Sequence, residues 1–284
     1  MFFDPQCIPC IINQAYESSK KFASGNTELQ LKIVKKICAE VEAVDINYTA
    51  PMFSSSMQKI IEEYLDIKNP YKKLKDKNII IAEKFIPYIK TLIDRSADKL
   101  EMAIRTAIIG NAIDLGANPN FDIEFEVSRI TSGDIYFIGY QKFKEDLKKA
   151  ELILYIADNY EEALFDKFLI TALLPKNVVF VVRSKPILND ITMEDAKKLE
   201  IEKLCKVIES GSIIAGTDLN ECTPEFLDLY RKADIVISKG QGNYETLLNE
   251  VRPIYFLFRV KCDVIASRCG LKKGDGAFFY NGVE

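Results

Sequence analysis

Leu152-Ile153-Leu154-Tyr155-Ile156-Ala157-Asp158-Asn159 is the stretch whose reading decides the fold. Its apolar run, bounded by polar residues, reads as a strand buried on both faces, the kind found in parallel sheets. The run stops on a carboxylate and a carboxamide, and a helix-like stretch through Leu173 follows at once. Ligands of open α/β sheets sit outside the carboxyl ends of the strands. Asp158 and Asn159 are hard oxygen donors suited there to Mg²⁺ or Mn²⁺, and the same pair also reads as a helix N-cap.

Downstream the pattern repeats. Strands are predicted over 178–182, 212–215, 235–238 and 254–258, with helices over 193–208, 224–231, 244–250 and 262–269. Repeated βα units imply a parallel sheet with right-handed crossovers and helices on both faces. Upstream, residues 7–22, 28–44 and 77–105 carry apolar residues at helical spacing among Lys and Glu, with Gly25-Asn26, Pro51 and Asn69-Pro70 as punctuation. Residues 118–139 read as a turn-rich acidic connection. The expected architecture is a Rossmann-like three-layer α/β/α sandwich with a mostly parallel sheet. Residues 1–105 form a helical N-terminal region and 106–284 an α/β/α catalytic core.

The net charge of −4 is spread over interleaved Lys and Glu, with no basic stripe for nucleic acid and no apolar run of membrane-spanning length. The first residues lack the pattern of a signal peptide, so a cytoplasmic location is expected. Histidine is absent, which removes Ser-His-Asp and Cys-His catalysis and leaves proton transfer to Asp, Glu, Lys, Tyr, Cys or metal-bound water. The seven cysteines are an odd count, against a disulfide scaffold. Cys7-Ile8-Pro9-Cys10 is half a zinc site, a redox pair, or two residues of a helical turn; Cys262 or Cys269 are the residues that would join it in space.

In a parallel sheet all strand ends share one edge. The first ends in Asp158-Asn159; Asn189-Asp190 lies beyond the second and Gly216-Thr217-Asp218 beyond the third. The fourth gives Ser238-Lys239-Gly240-Gln241-Gly242-Asn243 and the fifth Arg259-Val260-Lys261. Carboxylates gather on the first three ends and cations on the last two, the division of labour that phosphoryl chemistry needs. Asn189-Asp190 also reads as a polar turn and Asp218 as a cap.

Ala157-Asp158-Asn159-x-x-Glu162-x-x-Phe165-Asp166, Lys185-Pro186-Ile187-Leu188-Asn189-Asp190-Ile191-Thr192 and Ser238-Lys239-Gly240-x-x-Asn243 follow one another as in the domain-of-unknown-function 89 family of metal-dependent damage-control phosphatases. Arg259-x-Lys261 and Gly110-Asn111-x-x-Asp114 also resemble family blocks, and Cys-x-x-Cys resembles the archaeal and bacterial branch. The resemblance implies that Asp158, Asn159 and Asp190 bind a divalent metal: Mg²⁺ or Mn²⁺, with Co²⁺ or Ni²⁺ as further choices. It implies that Lys239, Gly240 and Asn243 contact the phosphate of a small phosphorylated metabolite, with Asn111 and Lys261 near the same pocket. A polarised water attacks phosphorus in that scheme, and Glu162 is the candidate proton donor for the leaving oxygen. Glu161 departs from the family, which has glycine there, so it either crowds the metal or points to solvent.

Two other functions compete. An S-adenosylmethionine-dependent carboxyl methyltransferase calls for a glycine-rich turn after the first core strand, where Asp158-Asn159 stands instead. A non-catalytic metabolite-binding or redox module would centre on Cys7 and Cys10. Haloacid-dehalogenase chemistry needs a second Asp where Tyr160 stands.

Overall fold

The structure, a computed structural model, describes residues 3–110, 128 and 135–282. Helices α1 (Cys7–Phe22), α2 (Thr27–Val41) and α3 (Ala50–Leu65) pack around Ile11, Ile33, Ile37, Phe53, Met57 and Ile61. Asn26 caps α2 through the Leu29 N–H at 3.0 Å. Pro51, read from sequence as punctuation, instead lies in the first turn of α3 behind the cap residue Thr49. A proline needs no N–H partner there, so it opens the helix rather than ending one.

The predicted helix over 77–105 is three helices, α4 (Lys72–Glu83), α5 (Ile86–Arg95) and α6 (Lys99–Gly110). Pro87 stands in the first turn of α5, and Asp98 accepts from Glu101 N at 3.0 Å to start α6. These breaks let the segment fold back and lay Ala103, Ile104, Ala107 and Ile108 against the sheet layer.

Seven strands form one sheet in the order β1-β7-β6-β5-β2-β3-β4: β1 (Ile135–Ile138), β2 (Leu152–Ile156), β3 (Asn177–Val182), β4 (Lys206–Glu209), β5 (Ile235–Lys239), β6 (Tyr255–Arg259) and β7 (Gly276–Tyr280). From β6 to β4 all neighbours are parallel, whereas β7 runs antiparallel to β6 and carries β1 parallel to itself. Strand β2 is central, and its side chains divide as a doubly covered strand requires. Ile153 and Tyr155 enter one core, Leu154 and Ile156 the other.

The first core holds α4 to α6 with α7 (Tyr140–Lys149) and α8 (Ala163–Leu173); the second holds α10 (Pro224–Lys232), α11 (Gln241–Leu247) and α12 (Asp263–Cys269). The short α9 (Met193–Lys198) follows β3. No helix among the described residues is long and apolar enough to cross a membrane.

Two downstream expectations are corrected. The helix predicted over 193–208 ends at Lys198, because Glu200 takes the left-handed conformation and residues 206–209 pair with β3 as β4. Residues 212–215 therefore form no strand; they follow β4 as a buried turn. Strands β1 and β7 and helix α7 were not anticipated, since β1 falls within the stretch read as a connection.

Lys75 of α4 ties the helical region to the sheet edge. Its ammonium, 4% exposed, donates to Asp190 O at 2.8 Å and pairs with Asp195 Oδ2 at 2.5 Å. Replacing Lys75 by Met leaves Asp195 buried without its cation. A loss of about 3 kcal/mol in denaturant-unfolding stability is expected, and an unchanged midpoint would refute this bracing role.

Candidate active site

Asp158 and Asn159 leave the end of β2, and the loop after β3 returns to meet them. Ile191 N donates to Asp158 O at 2.8 Å and Tyr160 N to Asn189 O at 2.9 Å. Asn159 and Asp190 are thereby paired in a short antiparallel bridge. The loop turns through Leu188 with φ of 45°, a costly conformation for leucine. Gln58 of α3 holds it there, accepting from Leu188 N at 2.6 Å and donating to Pro186 O at 3.2 Å.

The cluster is acidic and dry: Asp158 is 7% exposed, Asp190 3% and Glu162 1%. Burial, reinforced by Glu162 and Asp190, holds the Asp158 carboxyl well above the usual carboxylate range. Burial also raises Asp190, although Arg183 pulls against it. The Arg183 guanidinium is itself buried, donating to Asp190 Oδ2 at 2.7 Å, Thr217 Oγ1 at 3.1 Å and Asn243 Oδ1 at 3.0 Å.

Lys239, expected against the phosphate, lies beneath the site. Its fully buried ammonium donates to Glu162 Oε2 at 3.1 Å and Asp166 Oδ1 at 2.8 Å. Burial alone would lower its pKa, but Asp166 and Glu162 outweigh that and hold it above the ordinary lysine value. Tyr155 O–H donates to the same Asp166 oxygen at 2.7 Å, and Asn159 Nδ2 donates to Glu162 Oε1 at 2.6 Å. A chain of contacts thus runs from inside the sheet to Asn159 and leaves its carboxamide oxygen facing away from Glu162. Both Glu162 oxygens accept, so this carboxylate links Lys239 to the Asn159 amide.

Asn243 is also enclosed, donating to Ala157 O at 3.1 Å and Lys239 O at 2.8 Å, so it ties the ends of β2 and β5 together. Gly240 lies flat on Asp158, where a Cβ would fall onto the carboxylate, and its φ of 78° and ψ of 157° belong to a region essentially reserved for glycine. Asp218 caps its own turn, accepting from Asn220 N at 3.0 Å. Asn111 and Asp114 lie outside the described residues.

Two cavities open on this edge. The larger, about 1120 Å³, is lined by Asn159, Glu161 and Glu162 together with Arg259, Lys261 and Lys273. The smaller, about 300 Å³, brings Asp158, Asp190 and Lys261 together with Cys7, Cys10 and Cys262. Cys262 is therefore the thiol that joins the Cys-x-x-Cys pair, while Cys269 packs into the core beneath. Burial pushes Cys7 up to about 11, with Glu245 and Cys262 adding to the effect, so it rests as a thiol. Lys261 lines both cavities. Lys239, Gly240 and Asn243 line neither.

Glu161 neither crowds Asp158 nor points to solvent. It is 2% exposed and accepts from Asn78 Nδ2 at 3.1 Å and Asn189 Nδ2 at 2.9 Å. Burial pushes its carboxyl up to about 7. Sequence reasoning also passed over Arg183. The available signal was a charge placed directly after an all-apolar strand, a position that demands a buried partner.

The donor set fits a hard divalent cation: two carboxylates and a carboxamide, with buried like charges that a cation would relieve. Among the described residues no group of three or more Cys, Asp or Glu side chains is placed to hold a metal ion. A site on Asp158 and Asp190 would need a third donor of another kind, and the Asn159 carboxamide would supply it.

Residues 3–276 match the family model of the damage-control phosphatase ARMT1-like domain. An uncharacterised protein of Methanocaldococcus jannaschii is 34% identical over 286 aligned positions, covering 95% of this chain and 93% of the relative. A damage-control phosphatase of Pyrococcus horikoshii is 34% identical, covering 95% and 94%. One from Archaeoglobus fulgidus is 24% identical, covering 97% and 98%. The crystal structure of a DUF89 family protein from Pyrococcus horikoshii superposes with a TM-score of 0.89 at 29% identity, covering 99% of this chain and 100% of that one.

The close fit of Gly240 on Asp158 yields a test. Gly240→Ala is expected to cost about 1–3 kcal/mol of stability through its backbone conformation alone, and it displaces the Asp158 carboxylate as well. Equilibrium denaturation reads the first effect, and wild-type stability in this variant would contradict the described contact.

Proposed function

The chain belongs to the damage-control phosphatase ARMT1-like family, and from that premise we propose that it is a divalent-metal-dependent phosphatase acting on phosphomonoesters of small metabolites, sugar phosphates or damaged phosphometabolites among them. The observation that carries this reading is the meeting of Asp158, Asn159 and Asp190 at the end of β2, with Lys261 lining the same cavity. The phosphatase names of the relatives support it.

Asp158, Asn159 and Asp190 would hold Mg²⁺ or Mn²⁺, with Co²⁺ and Ni²⁺ also compatible with these oxygen donors. A bound cation supplies charge against the phosphate oxygens and makes a neighbouring water more acidic. Lys261 and Arg259, with Lys273 further out, attract the dianion and hold its charge as it redistributes. Glu162 and Lys239 act from behind, fixing the Asn159 carboxamide, and Arg183 does the same for Asp190. The interleaved surface charge supports a small-molecule substrate rather than nucleic acid or a membrane as partner, and the reading assumes a cytoplasmic setting.

Hydrolysis of p-nitrophenyl phosphate should vanish in EDTA and return with added Mg²⁺, Mn²⁺, Co²⁺ or Ni²⁺. Asp158→Ala and Asp190→Ala should each lower kcat by about 100-fold or more. Turnover that ignores EDTA, or survives in both variants, sinks the proposal.

The raised carboxyls set a pH dependence. Their protonated forms are favoured by the fold, so their contribution to metal-free stability is full below the usual carboxylate range and is lost as pH climbs through the raised values. A cation must expel those protons to bind, so the increase in Tm given by Mn²⁺ should grow between pH 5.5 and 8. A flat increment across that range would show that Asp158 and Asp190 do not bind the ion.

A further inference from the structure

The larger cavity holds a pair of acceptors that the proposed metal and phosphate contacts do not use. Glu161 Oε1 already takes the amide hydrogens of Asn78 and Asn189 at 3.1 and 2.9 Å. Glu161 Oε2 and Asn78 Oδ1 are left buried with no hydrogen-bond partner. Both residues line the cavity that also contains Asn159 and Lys261, and they are 2% and 1% exposed. A buried acceptor with nothing to accept is costly, and here two of them belong to hydrogen-bonded neighbours that both line the cavity.

The surrounding charge chooses the donor. Lys20, Lys21, Arg259, Lys261 and Lys273 line this cavity against the carboxylates Glu17, Glu161 and Glu162, an excess of cations that repels an ammonium group. An uncharged donor suits both the field and the two oxygens, and two hydroxyls, each with one hydrogen, can serve one oxygen apiece. Carboxylates read ribose hydroxyls in this manner at other α/β strand ends.

We propose that Glu161 and Asn78 form a subsite that recognises hydroxyl groups on the carbon skeleton of the phosphorylated substrate. The subsite deepens the phosphatase reading and rests on it for the position of the phosphate. It also accounts for the glutamate where the family has glycine: the side chain fills space that glycine would leave open and offers an oxygen there.

The test compares ribose 5-phosphate with n-pentyl phosphate, which has no hydroxyl to donate. Wild-type protein should prefer the sugar phosphate by about tenfold or more in kcat/KM. That preference should collapse in Glu161→Ala and in the isosteric Glu161→Gln, which presents N–H groups where an acceptor stood. Equal losses on both substrates would reduce Glu161 to a structural part and overturn the subsite. So would an unchanged preference accompanied by a shifted half-saturating Mn²⁺ concentration, which would make it a metal determinant. Calorimetric binding of the two phosphates is measured alongside. If no ester is turned over, the phosphatase reading fails, yet the subsite still requires tighter binding of ribose 5-phosphate and loss of that difference in both variants.

Discussion

Carboxylates crowded together in the protein interior are the constraint on which this molecule is built. Asp158, Asp166, Asp190, Glu161 and Glu162 all lie at or below 7% exposure around the end of one strand. Such a group is tolerable only if the fold brings cations and N–H donors to it. Lys239 and Arg183 answer from within the sheet layer, and Lys75 braces the Asp190 backbone from α4. At Asp158 burial and the neighbouring Glu162 and Asp190 outweigh Lys261 and Arg183, and its carboxyl stays raised. On the proposed reading, a cation from solution adds its charge at the outer face of the cluster.

Much of this was legible beforehand, because hydrophobic pattern reports strands buried on both faces and strand ends of a parallel sheet share an edge. Leu152–Ile156 and the polar pair after it carried the fold, the edge and the candidate donors. What escaped was the direction in which long side chains reach. The identity of Lys239 does not tell whether its ammonium meets a phosphate outside or carboxylates beneath. The clue lay in Glu162 and Asp166, four apart and so on one helical face beside the sheet, which together require a buried cation. Prolines misled in opposite ways: Pro51, read as an interruption, opens a helix, and Pro87, inside a stretch read as one helix, opens a new one.

The helical region is part of the site rather than an attachment to it. Gln58 fixes the strained turn at Leu188, Asn78 partners Glu161, and Cys7 and Cys10 border the smaller cavity beside Asp158. The edge of the sheet supplies charge and the helices supply shape. Variation in α1, α3 and α4 can then retune what enters the cavity without disturbing the strands that carry the donors.

The pins between these two parts span the chain: Lys75 to Asp190, Gln58 to Leu188 and Ser55 to Ala215 are separated by 115, 130 and 160 residues. Contacts so distant in sequence form late in folding, after local helices and neighbouring strands are in place. The helices leave the ribosome before the sheet edge that they meet. They must wait, half-matched, until the sheet edge exists. The candidate site is accordingly among the last parts of this chain to be completed, and a nascent or partly folded copy has not yet assembled it.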